Sequence, residues 1–145
     1  MTAALLERDP HFAGQFPHKG TLPAKAGTLY LRGWLVCADA AGRAAPPGPG
    51  LRAQGVSIGT FDNSEGSDDA MAVEIAYGVH AFACEGALPK PSDVVFAVDN
   101  ATVSLSAGVG ADRGVAGVVS EVRAGLVYVW INPVISGALA ARLAA

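Results

Sequence analysis

Between Thr28 and Asn132 each apolar run soon meets a turn residue, and that punctuation restricts the chain to short strands. "VVFAV" (94–98) ends at Asp99-Asn100, "TVSLS" (102–106) at "AGVGADRG", and "VAGVVSEV" (115–122) at "RAG"; "LVYVWI" (126–131) closes the series. Asp and Asn tolerate left-handed backbone and can hydrogen-bond their own main chain, so a D-N pair between apolar runs serves as a tight corner. The same reading applies to Asp62-Asn63. The runs themselves are rich in β-branched and aromatic residues.

Three longer stretches precede them. "TLYLRGWLVCADA" predicts a first strand over roughly 28–38, and "AQGVSIGTF" a second that ends at Asp62-Asn63. "MAVEIAYGVHAFAC" (71–84) reads as one strand with Val73, Ile75, Tyr77 and Val79 on one face. "PPGPG" (46–50) supplies three prolines without N–H donors, so it is a loop. With 18 Gly, 9 Pro and 51% hydrophobic residues in 145, the expectation is an all-β fold. It takes the form of a small β-barrel or β-sandwich of about seven short strands with an extended N-terminal arm. The division is an arm over 1–25, a β-rich domain over 26–133, and a tail over 134–145. The tail "ISGALAARLAA" has helix-forming composition and needs packing to hold so short a helix.

The arm, "HFAGQFPHKGTLPAKAG", spaces aromatic residues with Gly and Pro and has no sustained periodicity. Leu5, Leu6, Phe12, Phe16 and Leu22 therefore need another surface, either the domain's own or a partner's.

No chemistry assembles from the motifs. Counted from Asp62, a calcium loop would need Gly at the sixth position and Glu at the twelfth, and Gly66 and Val73 do not supply them. "GVGADRGVAG" has Arg113 where a dinucleotide fingerprint needs Gly, and a strand pattern follows instead of a helix. His11, His18 and His80 are dispersed, and no Ser or Cys stands in a nucleophile motif. Cys37 and Cys84 sit in apolar segments and read as buried free thiols. The expectation is a non-enzyme without catalytic residues, cofactor or metal. A formal charge of −3 with ten scattered Lys and Arg argues against nucleic acid as a partner. "MTAALLERDP" breaks before a signal core could form, and no run approaches about 18 apolar residues, so the expected setting is a cytoplasm with no membrane partner.

The run "FAVDNATVSLSAGVGADRGVAGVVSEVRAGLVYVWIN" (96–132) resembles the C-terminal half of tailed-bacteriophage capsid decoration, or cement, proteins. The similar features are the apolar step Ala97 to Val103, the 106–114 loop, the small-residue strand Ala116-Gly117-Val118-Val119, and the final strand Val127 to Ile131. Upstream, "GWLVCADAAGRAAPP", "QGVSIGTFDNSEG" and "VEIAYGVHAF" resemble the family's earlier strands, so the likeness spans about 20–132. Asn100 departs from the family's usual Asp, and so does the alanine-rich tail. The resemblance implies a structural protein on the outer surface of the virion capsid, assembled in the host cytoplasm. Its partners would be the major capsid protein and itself, as a homotrimer. Leu5, Leu6, Phe12, Phe16 and Leu22 are then the capsid-binding residues. The alternative is a non-catalytic carbohydrate- or cell-surface-binding module. Trp34 and Trp130 lie inside strand patterns and read as core or subunit contacts rather than sugar platforms.

Overall fold

A computed structural model describes residues 19–144. The fold is all-β, and the described residues form twelve strands rather than about seven, a single 3₁₀ turn at Val109–Ala111 and one α-helix. The strands are β1 (Lys19–Pro23), β2 (Thr28–Tyr30), β3 (Leu35–Ala38), β4 (Ala44–Ala45), β5 (Arg52–Ser57) and β6 (Phe61–Asn63). Then follow β7 (Ala72–Ala76), β8 (Gly78–Cys84), β9 (Val94–Ala97), β10 (Thr102–Ser104), β11 (Val115–Arg123) and β12 (Leu126–Ile131), and the helix α1 (Pro133–Ala144).

Three of the five additional strands arise because each of the three longer apolar stretches breaks once, and the other two are β1 and β4. The expected strand over 28–38 divides into β2 and β3 at a turn carrying Gly33 at φ 87°. The second divides around Gly59 into β5 and β6. The run 71–84 divides at Tyr77, where Gly78 takes φ 113°, a left-handed conformation that side chains avoid. Alternation consequently does not carry through. Val73 and Ile75 are buried in β7, while Val79 is exposed on β8.

Strands β10, β8, β12, β11 and β9 close a barrel, and β1, β7, β5, β3 and β4 form a five-stranded sheet. A ribbon of β2 and β6 lies beside them. Two cores result. Phe82, Val95, Val103, Val119, Val127, Val129 and Ile131 fill the barrel together with Leu35, Cys37, Ala53 and Val56 of the sheet. Ala24, Tyr30, Val36, Ala44, Val73 and Ile75 form the second core. Neighbouring residues of β3 thus enter different cores, which is why "LVC" is apolar without interruption and buried throughout. Gly117 fits because its missing Cβ leaves room for the carbonyl oxygen of Trp130, next to a register shift in β11.

The tail is a helix seated on β5 and β11. Asn132 caps its start, its Oδ1 accepting from the Val134 N–H at 2.8 Å, and Pro133 follows where a missing N–H costs nothing. Ser136 is fully buried and donates its hydroxyl to the Ala53 carbonyl at 2.6 Å.

Candidate functional site

Leu5, Leu6, Phe12 and Phe16 lie outside the described residues. Leu22 is placed in β1, opposite Val73 of β7, and packs against the second core. Residues 19–23 are therefore a strand of the body's own sheet, and Leu22 is committed to that body.

The polar residues singled out by the sequence serve the backbone. Asp99 Oδ1 accepts from the Ala101 N–H at 2.8 Å, and Asp62 Oδ1 from the Ser64 N–H at 3.0 Å. Asn63 is buried, its amide donating to the carbonyls of Lys25 and Ser67 at 2.9 and 3.0 Å. Asp99-Asn100 lies in a corner as expected, whereas Asp62 and Asn63 are the last two residues of β6, paired with Leu29 and Thr28, and the turn begins after them. In the acidic loop, Asp69 receives a two-pronged contact from Arg43, Nε to Oδ1 at 2.9 Å and Nη2 to Oδ2 at 3.0 Å. The hydrogen bond from Arg43 holds the Asp69 carboxyl below the usual range. Asp68 Oδ1 accepts from the Ala26 N–H at 2.8 Å. These carboxylates tie the 62–69 loop to the rest of the molecule. Among the described residues no three His, Cys, Asp or Glu side chains gather as a metal site would require.

Cys37 is buried and Cys84 partly buried, and neither is in a disulfide. Cys84 thus departs from the expectation of two buried thiols. Burial pushes the Cys37 thiol up to about 12. The Cys84 thiol is also raised, by burial first and by the Glu85 charge second. Neither has the lowered pKa of an activated nucleophile.

The outer wall of the barrel has a more distinctive surface. In β12, Val127, Val129 and Ile131 point inward while Leu126 and Trp130 are exposed, because a strand sends alternate side chains to opposite faces. Trp130 pairs with Val79 of β8 on one side and Val118 of β11 on the other, so the three form a row across adjacent strands. Trp130 is 49% exposed and Val79 44%. Beside them Val118, Val119, Ser120, Trp130 and Ile135 of α1 line a shallow groove of about 370 Å³. Further along the same wall the Arg123 guanidinium lies 4.8 Å from the centre of the Tyr128 ring.

Sequence reasoning placed Trp130 in a core or a contact and did not see the row. "LVYVWI" is apolar on both faces, so its pattern gives no sign of which face is solvent. The visible signal was the odd spacing of Leu126, Tyr128 and Trp130 against Val127, Val129 and Ile131. Comparison of the chain with protein-family models, curated proteins and solved structures finds no match.

Proposed function

We propose that this chain is a non-catalytic structural protein of the virion, which binds the outer surface of a tailed-phage capsid and stabilises contacts between major capsid protein subunits. The observation that supports this reading is the Val79, Trp130 and Val118 row on the barrel wall. It is apolar, open and supported by rigid strands, the character of a surface that meets protein. The N-terminal residues Leu5, Leu6, Phe12 and Phe16 supply a second apolar element. Two apolar elements on one small protein, repeated over a lattice, give strong attachment from modest contacts. Self-association as a trimer, the major capsid protein as partner and a place on the outside of the shell belong to the same proposal.

The exposure of Trp130 favours one rival, a carbohydrate-binding module with an aromatic platform. Sugar recognition also needs several convergent hydrogen-bonding groups, and the side chains of this groove bring only the Ser120 hydroxyl and the Trp130 indole N–H. The test is co-sedimentation with empty shells built from the cognate major capsid protein, run beside a glycan array. Saturable pelleting with shells, weakened by Phe12→Ala together with Phe16→Ala, is the expected result. Glycan binding that Trp130→Ala abolishes, with no shell binding, would reverse the assignment.

A further inference from the structure

We propose that the cavity between the barrel, the 106–114 loop and the last turns of α1 binds a small carboxylic acid with an apolar body, a short fatty acid or an aryl carboxylate. This goes beyond the capsid reading, and the site shares no lining residue with the groove at Trp130.

The cavity is assembled from segments distant in sequence. Val95 and Ala97 of β9 fill the barrel core, so strand alternation turns Phe96 to the outside of the wall. Phe96 is only half-buried there, and with Val115, its partner on β11, it lines the cavity. Leu51, ahead of β5, lines one side, and Ala107 and Ala111 line another. From α1 comes Ala140, whose single methyl leaves unfilled the space a larger side chain would take. The walls are held in place. Gly114 approaches the Leu51 carbonyl oxygen so closely that a Cβ would collide with it, and the Arg113 N–H donates to the Ala107 carbonyl at 3.0 Å across the base of the loop. The resulting volume, about 330 Å³, lies at the small end of the roughly 300–1,000 Å³ of ligand sites, so the ligand is a single ring or a short chain.

Charge decides the class of ligand. Among the described residues that line the cavity, Arg113 alone has a polar side chain. Its Nη2 donates to Glu85 Oε1 at 3.0 Å and its Nη1 to the Ser106 carbonyl at 3.3 Å, two of the five N–H donors a guanidinium offers. The Glu85 side chain is 54% exposed, and an ion pair so open to water contributes little, so an incoming carboxylate can take its place on the planar fork. A guanidinium at the edge of an apolar cavity selects an anion that carries an apolar body. The carboxylate belongs at the Arg113 side. The carbonyl end of α1, where Ala140 and Leu143 lie, repels an anion, and those two side chains suit the apolar body.

The experiment titrates the full isotope-labelled chain with octanoate and with phenylacetate, beside octanamide and phenylacetamide as uncharged controls. Both acids should produce saturable amide shifts at Phe96, Gly114, Val115 and Leu143, and the amides should bind about tenfold more weakly or worse. Arg113→Gln should reduce the affinity for the acids to that for the amides. Glu85→Gln, which removes the competing carboxylate, should raise it. Ala140→Phe should fill the cavity and abolish binding while the rest of the spectrum is kept; if that variant fails to fold, Arg113→Gln and Glu85→Gln, both at the surface, decide. No saturable shift with either acid, equal affinity for acid and amide, or undiminished binding by Arg113→Gln overturns the proposal. Shifts that gather at Trp130 instead also overturn it. No shell is present in these measurements, so failure here leaves shell binding to its own test.

Discussion

Single residues in this chain show how burial, rather than residue type, decides chemical behaviour. Asp62, Asp68, Asp69 and Asp99 could each be read as an acid, yet all four accept hydrogen bonds that hold loops in place. The two cysteines separate further. Cys37 faces the barrel core, whereas Cys84 sits at the end of β8 with its Sγ 3.5 Å from the Ala87 carbonyl. A thiol reagent at neutral pH should label Cys84 in the native protein and Cys37 only after unfolding, which mass spectrometry of tryptic peptides would check. Cys37 also predicts an alkaline slope in stability. Its pKa rises from 9.0 to about 12 on folding, so the folded state keeps a proton that the unfolded chain releases. The associated stability is fully present below pH 9 and is lost as pH climbs toward 12, at about 1.4 kcal/mol per pH unit. Urea unfolding between pH 8 and pH 10.5 should show this fall in the natural chain relative to Cys37→Ala. Parallel curves for the two proteins would refute the assignment.

At the scale of elements, the sequence was clear where one face of a strand is wet and unclear where both faces are dry. Four runs, "VVFAV", "TVSLS", "VAGVVSEV" and "LVYVWI", became β9, β10, β11 and β12 in order, because turn residues bound each of them. The 28–38, 53–61 and 71–84 runs were misread as single strands. The breaks are short, each includes or adjoins a glycine, and at Gly33 and Gly78 that glycine takes positive φ, a change of backbone that the apolar pattern does not show. β1 and β4 were missed for a different reason. "KGTLP" and "AA" carry too little pattern to predict a strand, and they are held by pairing with β7 and β3. The candidate site was not legible, because the row on the barrel depends on register between strands distant in sequence, and of the apolar residues the sequence singled out Leu22 belongs to the body while Leu5, Leu6, Phe12 and Phe16 lie outside the described residues. The helix was legible in composition, and the structure adds what holds it. Asn132→Ala, which removes the cap, should cost about 1 kcal/mol. Ser136→Ala should cost about as much by leaving the Ala53 carbonyl without its donor. Differential scanning calorimetry of the two variants would check both, and an unchanged midpoint for Ser136→Ala would show that the helix is not fastened there.

At the scale of the whole molecule, the two cores share one sheet. β3 places Leu35 and Cys37 in the barrel core and Val36 in the other, and β5 pairs with both β3 and β7. Neither core can lose its packing without disturbing a strand the other depends on. The described body should therefore unfold in a single cooperative step although it contains a closed barrel and an open sheet. Val36→Ala and Val129→Ala, one in each core and both fully buried, test this. Each removes buried methyl groups and should destabilise the protein by roughly 2–4 kcal/mol. Each, made in a Trp34→Phe background, should also lower the same transition when followed by circular dichroism and by the fluorescence of Trp130, which lies on the barrel. If Val36→Ala produced an early transition that left the Trp130 signal in place, the sheet and barrel would be separate folding units. Coincident curves would mean that sheet and barrel unfold as one cooperative unit.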